Sequence, residues 1–266
     1  MAEQGPGGGG ATAQSGYRKI TTSTAGGVAI LTLANDKVNA LDVEMVEEIL
    51  SFVEQCEGDA DVTALVMTGR GKVFSAGLNV RELLEREPGY SVTLLKVLSQ
   101  TLEKLFGFAK PTVAAINGAA VAGGCLLACT CDTRIIAESA RIGVTEVQVG
   151  VALPIVAVEL MRHVCGPSAE LLMLEAQLAT ADEACASGMA HRQVPLADLL
   201  SEAVAQAERL ATGDARAYAL AKEASRQSVL QAARSEEAQA LNQVVWDQWQ
   251  SEETRARLSK LLEGAK

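Results

Sequence analysis

Short apolar runs alternate with longer amphipathic stretches over the first two-thirds of the chain, and amphipathic stretches alone fill the rest. Val28 to Leu33 has the length and composition of a buried strand, with Ile20 to Thr24 across the Gly26-Gly27 turn as its expected hairpin partner. Asn35 to Leu41 is a loop, and Asp42 stands at the N-cap of a helix pattern running from Val43 to Cys56. Ala64 to Thr68 predicts a buried strand ended by Gly69. Val73 to Leu78 predicts a strand running into a turn, followed by a charged helical stretch from Arg81 to Glu87. Pro88-Gly89 breaks the pattern before a periodic helix over Ser91 to Phe106. Val113 to Ile116 is again strand-like and is closed by Asn117-Gly118. Six small residues, Ala119 to Gly124, then lead into a helix-like apolar run from Cys125 to Cys131.

Further on, helices are expected over Val156–Val164, Ser168–Leu178 and Thr180–Ser187, with Gly166-Pro167 and Gly188 as breaks. From Leu196 the pattern is almost only helical, over 196–212, 214–232 and 235–263. Trp246 and Trp249 stand out there as large apolar anchors for packing on the core or on another subunit. This order predicts an α/β core over 17–195 and a helical region over 196–266. Residues 1–16, rich in Gly, Ala and Gln, are expected to form a disordered tail.

Composition narrows the partners. Aromatic residues make up only 3% of the 266, so the core must be built from Ala, Val and Leu. A formal net charge of −10 argues against nucleic acid or an anionic membrane, both of which call for a basic face. A small anionic ligand stays open, because a few local Lys and Arg suffice for one phosphate. There is no run of membrane-span length and no secretory start, so a cytoplasmic location with reduced thiols is the expectation. The six cysteines form no metal-ligand spacing, and Cys125 and Cys129, one helical turn apart, are expected as small buried hydrophobes. No metal and no bound cofactor is expected. His163 and His191 lack a nucleophile or ligand partner at useful spacing.

The chemistry concentrates between Lys110 and Pro154. A strand, a glycine-containing loop and a helix start present backbone N–H groups at the positive end of a helix. Such a place stabilises an anion, either a bound phosphate or a charge that develops during reaction. Some twenty residues on, Glu146 is the one carboxylate in an otherwise apolar strip, Ile142 to Val158. Apolar surroundings push a carboxyl pKa upward, which makes Glu146 a candidate base near neutral pH.

Three motifs in order carry a family resemblance: FSAGLN (74–79), AAINGAAVAGGCLLACTCDTRIIA (114–137) and IGVTEVQVG (142–150). They resemble the crotonase (enoyl-CoA hydratase/isomerase) superfamily, and the resemblance runs from about Val28 to the C-terminus. It implies a spiral of ββα units with a helical C-terminal trimerisation region, and a homotrimer or hexamer acting on an acyl-CoA thioester. By motif match, the oxyanion-hole N–H groups fall on Leu78 and Gly123. The Ala40-Leu41 loop and Ala76 are implied as coenzyme A contacts, with Gly77, Gly124 and Leu126 completing the substrate-binding set. Lys260 is the expected phosphate contact, with Lys222 and Arg81 as rivals.

Carboxylates separate the members of that family. Hydratases carry a first glutamate where Leu126 stands here and a second at Glu146, while dienoyl-type isomerases add an acid where Pro154 stands. One carboxylate therefore remains, a pattern that resembles the mitochondrial-type Δ3,Δ2-enoyl-CoA isomerases. The resemblance implies an isomerase moving the double bond of a 3-enoyl-CoA to the 2-position. Its alternatives are other crotonase chemistry (a hydratase, thioester hydrolase or decarboxylase) and a non-catalytic coenzyme A-binding protein.

Overall fold

The structure is a computed structural model that describes residues 16–264. The tail expected to be disordered lies outside these residues, apart from Gly16. The described chain opens with the hairpin β1 (Ile20–Ala25) and β2 (Val28–Leu33), paired from Ile20↔Leu33 to Ala25↔Val28. Helix α1 (Val43–Gly58) follows, with the Asp42 side chain accepting from Met45 N as its cap.

A path of strand, short strand and helix is then traced three times. The first turn is β3 (Ala64–Gly69), β4 (Val73–Ser75), α2 (Val80–Glu85) and α3 (Gly89–Phe106). The second is β5 (Thr112–Ile116), β6 (Ala119–Val121) and α4 (Gly123–Cys129). The third is β7 (Thr133–Ala137), β8 (Arg141–Gly143), α5 (Ile155–Cys165), a 3₁₀ turn at Gly166–Ser168 and α6 (Ala169–Glu175). The chain continues through β9 (Ala179–Thr180), α7 (Ala181–Ser187) and β10 (Arg192–Val194). It finishes in four helices: α8 (Leu199–Ala211), α9 (Ala215–Arg234), α10 (Glu236–Trp249) and α11 (Glu252–Gly264).

The first strands of the units form a sheet of order β1-β2-β3-β5-β7-β10, parallel except for the hairpin. Strands β3 and β5 are buried at every residue, as a parallel sheet covered on both faces requires. The second strands form a smaller sheet, β4-β6-β8-β9. That spiral of ββα units is the architecture the family resemblance implies, and its α/β core followed by helices is what the residue pattern predicts. It brings the ends of β4, β6 and β8 side by side, and the loops that leave them meet there. Two buried asparagines tie the crossings: Asn117 accepts from Gly69 N (3.0 Å) and donates to Gly71 O (3.0 Å), while Asn39 donates to Arg70 O (3.0 Å) and Val73 O (2.7 Å).

Several boundaries differ from the sequence pattern. Helix α4 starts at Gly123 rather than Cys125, so the glycines lie inside its first turn. Gly89 enters α3 instead of ending the preceding break. The helix expected over Ser168–Leu178 stops at Glu175, where Ala176 turns left-handed (φ 52°). The long helix expected over 235–263 is two helices, parted at Gln250-Ser251, with Ser251 Oγ accepting from Thr254 N (3.2 Å). Trp246 and Trp249 are both buried within this chain.

Helix α9 is held to the core by charge. Asp132 accepts from Lys222 Nζ (2.8 Å), Tyr218 Oη (2.8 Å) and Thr112 N (2.7 Å), and pairs with Arg226 (2.7 Å). Lys222, expected as an exposed rival for a phosphate, is buried, and burial pulls its pKa down to about 8. Removing the acid would strand two buried cations, and such a loss costs about 3–5 kcal/mol. Asp132→Ala is therefore expected to lower unfolding stability by about that amount in denaturant titration.

Candidate active site

The site is built where peptide segments from two turns of the spiral meet without side chains between them. Leu41 N donates to Gly77 O (2.7 Å) and Asn79 N donates to Leu41 O (2.8 Å). This is a one-residue parallel bridge between Leu41 and Leu78. Its two bonds straddle Leu78, whose own N–H faces away from the Leu41 strand. Across from it, Gly123 begins α4, so its N–H lacks an intrahelical acceptor. Neither N–H takes a hydrogen-bond partner among the described residues.

Gly77 makes this approach possible. It sits at φ +85°, and a Cβ there would stand 2.9 Å from Val121 O and 3.6 Å from Gly123 N. Gly124 serves the other side, since a Cβ on it would lie 2.6 Å from Ser75 O. The residue between the two segments is strained. Ala122 is held at φ 53°, ψ −121°, a region that a side chain enters at a cost of about 1–3 kcal/mol. Both its backbone groups are bonded, N–H to Gly143 O (2.8 Å) and C=O from Leu126 N (3.1 Å), which fixes the strained peptide in place.

Glu146 leaves β8 in a turn closed by Val151 N donating to Glu146 O (3.0 Å). Its carboxyl is buried, and Oε2 has no hydrogen-bond partner. Burial raises its pKa from the ordinary 4.5 to about 7, against a smaller downward pull from the N–H groups of Glu146 and Thr145. It lines a cavity of about 530 Å³ together with Ala76, Leu78, Ala122, Arg141 and Trp249. Among the described residues, Glu146 is the one carboxylate in that lining and Arg141 the one cation. The cavity can thus take an apolar chain beside two free N–H donors and a carboxyl half-ionised near neutrality.

Of the residues expected at the site, Glu146, Leu78 and Ala76 line the cavity, and Gly123 abuts it through Ala122. Leu41 is fully buried, with Cδ1 3.1 Å from the Cβ position of Gly123, so it buttresses the donor from behind. Ala40 sits half-buried in the loop that crosses Gly77. Gly124 and Leu126 are buried in α4 and do not reach the cavity lining. Lys260 is exposed on α11 and also stands outside it. Arg141, Gln177, Leu258 and Leu261 were not singled out in the sequence, although they line the cavity. The unusual tryptophans of α10 were the one signal that the C-terminal helices pack onto this part of the molecule. No cluster of metal-ligating side chains occurs among the described residues, and none of their helices is long and apolar enough to cross a membrane.

Residues 23–265 match the family Enoyl-CoA hydratase/isomerase. The chain belongs to that family. As an enzyme of the enoyl-CoA hydratase/isomerase family, it is similar to relatives named for either reaction. A Thermus thermophilus protein named as an enoyl-CoA hydratase is 39% identical over 204 residues, which span 74% of this chain and 80% of that one. The human mitochondrial enoyl-CoA delta isomerase 1 is 38% identical over 152 residues, 56% of this chain and 50% of that one. The crystal structure of human mitochondrial delta3-delta2-enoyl-CoA isomerase superposes with a TM-score of 0.86 at 29% identity, covering 93% of this chain and 98% of that one.

The raised pKa of Glu146 has a stability consequence. Between pH 4.5 and about 7 the folded protein keeps a proton that the unfolded chain has lost, so stability falls as pH rises through this window. Its size is on the order of 3 kcal/mol. Glu146→Gln, which cannot ionise, is expected to match or trail the wild type at pH 4 and to exceed it at pH 8, as measured by chemical denaturation.

Proposed function

We propose that this enzyme isomerises a 3-enoyl-CoA to the conjugated 2-enoyl-CoA with Glu146 as its single acid–base group. The observation that carries the proposal is the isolation of Glu146, the one carboxylate among the described residues that line the cavity, with a buried leucine, Leu126, at the position where the family resemblance places a hydratase's other glutamate. Glu146 as carboxylate removes a proton from C2, and the electron pair spreads over a dienolate. Leu78 N–H and Gly123 N–H then receive the negative charge on the thioester oxygen. The protonated Glu146 returns the proton to C4, and the double bond comes to rest between C2 and C3. A pKa near 7 suits both halves of this cycle, since the group must take and give the same proton.

Hydration asks for more. A water has to be held and activated, and two carboxylates do this in the family's hydratases; Leu126 offers neither charge nor hydrogen bond. The hydratase names among the relatives favour hydration as a second reading. The supporting geometry also bears on assembly: α6 exposes Leu171 (59%) and Leu174 (62%), apolar surface that a homotrimer or hexamer would cover.

Steady-state turnover of a 3-enoyl-CoA, beside hydration of a 2-enoyl-CoA, tests the proposal. The wild type is expected to isomerise and to hydrate poorly, and Glu146→Gln to lose about 10²–10⁴-fold in kcat. Hydration as fast as isomerisation would overturn the single-base reading. Gly77→Ala, which forces Val121 and Ala122 away, is expected to lower kcat on the order of 10²-fold by spoiling one N–H donor. An unchanged kcat in that variant would remove Leu78 and Gly123 from the mechanism.

A further inference from the structure

The segment that carries Glu146 has no regular structure between β8 and α5, and its outer hydrogen bonds come from the far end of the chain. Inside the turn, Val151 N donates to Glu146 O (3.0 Å) and Gly150 N to Val147 O (3.1 Å). From α10, Gln248 Oε1 accepts from Ala152 N (2.8 Å), and Gln248 Nε2 donates to Gly150 O (3.4 Å). One side-chain amide thus spans residues 150 and 152. Between them lies Val151, the residue whose N–H closes the turn onto Glu146.

The neighbouring contacts have other work. Trp249 Nε1 donates to Ala152 O (2.8 Å) while its ring lines the cavity. Asn242 Oδ1 accepts from Ile155 N (2.9 Å) and caps α5, whose own N-cap, Pro154, offers no side-chain acceptor. Arg257 donates to Gly150 O (2.9 Å) from a largely exposed position. Among the described residues, Gln248 alone bonds both flanks of Val151 through its side chain.

We propose that Gln248 is a positioning residue: its amide holds the Gly150–Ala152 run, and through the Val151–Glu146 bond it sets where the Glu146 carboxyl stands in the cavity. It touches no reacting atom. The inference rests on Glu146 as the base, as proposed above. The ionisable groups that face Glu146 are Cys125 on α4 and Arg141 in the cavity lining, with Arg257 reaching the same turn at Gly150. Gln248→Leu leaves all three groups in place, whereas Gln248→Glu sets a carboxylate beside Arg257 at Gly150 O.

The test uses Gln248→Leu, which keeps bulk and loses both bonds, and Gln248→Glu, which keeps the acceptor for Ala152 N–H. Two readouts are taken on the full chain: steady-state isomerisation across pH, and the Glu146 carboxyl stretch by infrared titration, identified as the band missing in Glu146→Gln. In Gln248→Leu, kcat is expected to fall about 10-fold with KM nearly unchanged. The carboxyl midpoint is expected to fall by about one pH unit, because a loosened turn admits water to a group held high by burial. Gln248→Glu, which keeps the Ala152 bond and turns an oxygen toward Gly150 O, is expected to recover only part of the rate. A Gln248→Leu protein with wild-type kcat and an unmoved midpoint overturns the proposal, as does a lowered thermal midpoint with an unmoved carboxyl titration. If the wild type turns over no 3-enoyl-CoA, the isomerase reading fails, and the infrared titration alone then decides the role of Gln248.

Discussion

Two backbones from successive turns of a spiral must touch with nothing between them, and most of the unusual features of this chain answer that demand. The peptide at Gly77-Leu78 and the start of α4 approach until a methyl group at Gly77 would collide with Val121 O. This is why small residues run from Ala119 to Gly124, and why α4 opens on two glycines where a helix is normally weakened by them. The strain at Ala122 follows from the same crossing, and the bonds from Gly143 and Leu126 keep it from relaxing. Asn39 and Asn117, buried with their amides on neighbouring carbonyls, hold the loops at the spacing the crossing needs.

The molecule handles buried charge in two opposite ways. Asp132 is surrounded by donors, so its single negative charge is shared between Lys222 and Arg226 and fastens α9 to the core. Arg134, in the same short motif, spends its guanidinium on the carbonyls of Cys131, Gly188 and Met189. Among the described residues, Glu146 has no charged partner of this kind: only the N–H groups of Thr145 and of its own residue act on it, and Oε2 has no hydrogen bond. A partnered carboxylate would be more stable and would stay ionised; an unpartnered one in apolar surroundings shares its proton near neutrality, which is the property acid–base work requires. His191 gives a contrast: burial lowers its pKa to about 4, and its Nδ1 serves only as an acceptor for Arg134 N.

Much of this was legible in the residues. Strands such as β2, β3 and β5 announce themselves as apolar runs because both of their faces are covered. Asp42, Asn117-Gly118 and Glu146 were readable because a cap, a tight turn and a lone acid each leave a local mark. The short strands β6, β8 and β9 leave none, since two or three residues cannot establish an alternation. Lys222 and Lys260 were weighed by residue type and by family resemblance; whether a lysine is paired inside or free outside depends on what a distant segment presents, and Asp132 meets Lys222 while Lys260 stays exposed. Arg141 was missed for the same reason. Nothing local says that β8 runs along a cavity wall, or that residues near 258 close the other side.

The dependence of the Glu146 turn on α10 and α11 also sets an order in time. A ribosome delivers Glu146, the glycines and the whole spiral before it delivers Gln248, Trp249, Leu258 and Leu261. The spiral can therefore assemble around an unfinished chamber, with one wall absent and the carboxyl still wet. Dryness arrives only with α10 and α11, so translation itself withholds the apolar surroundings of Glu146 until those helices are made.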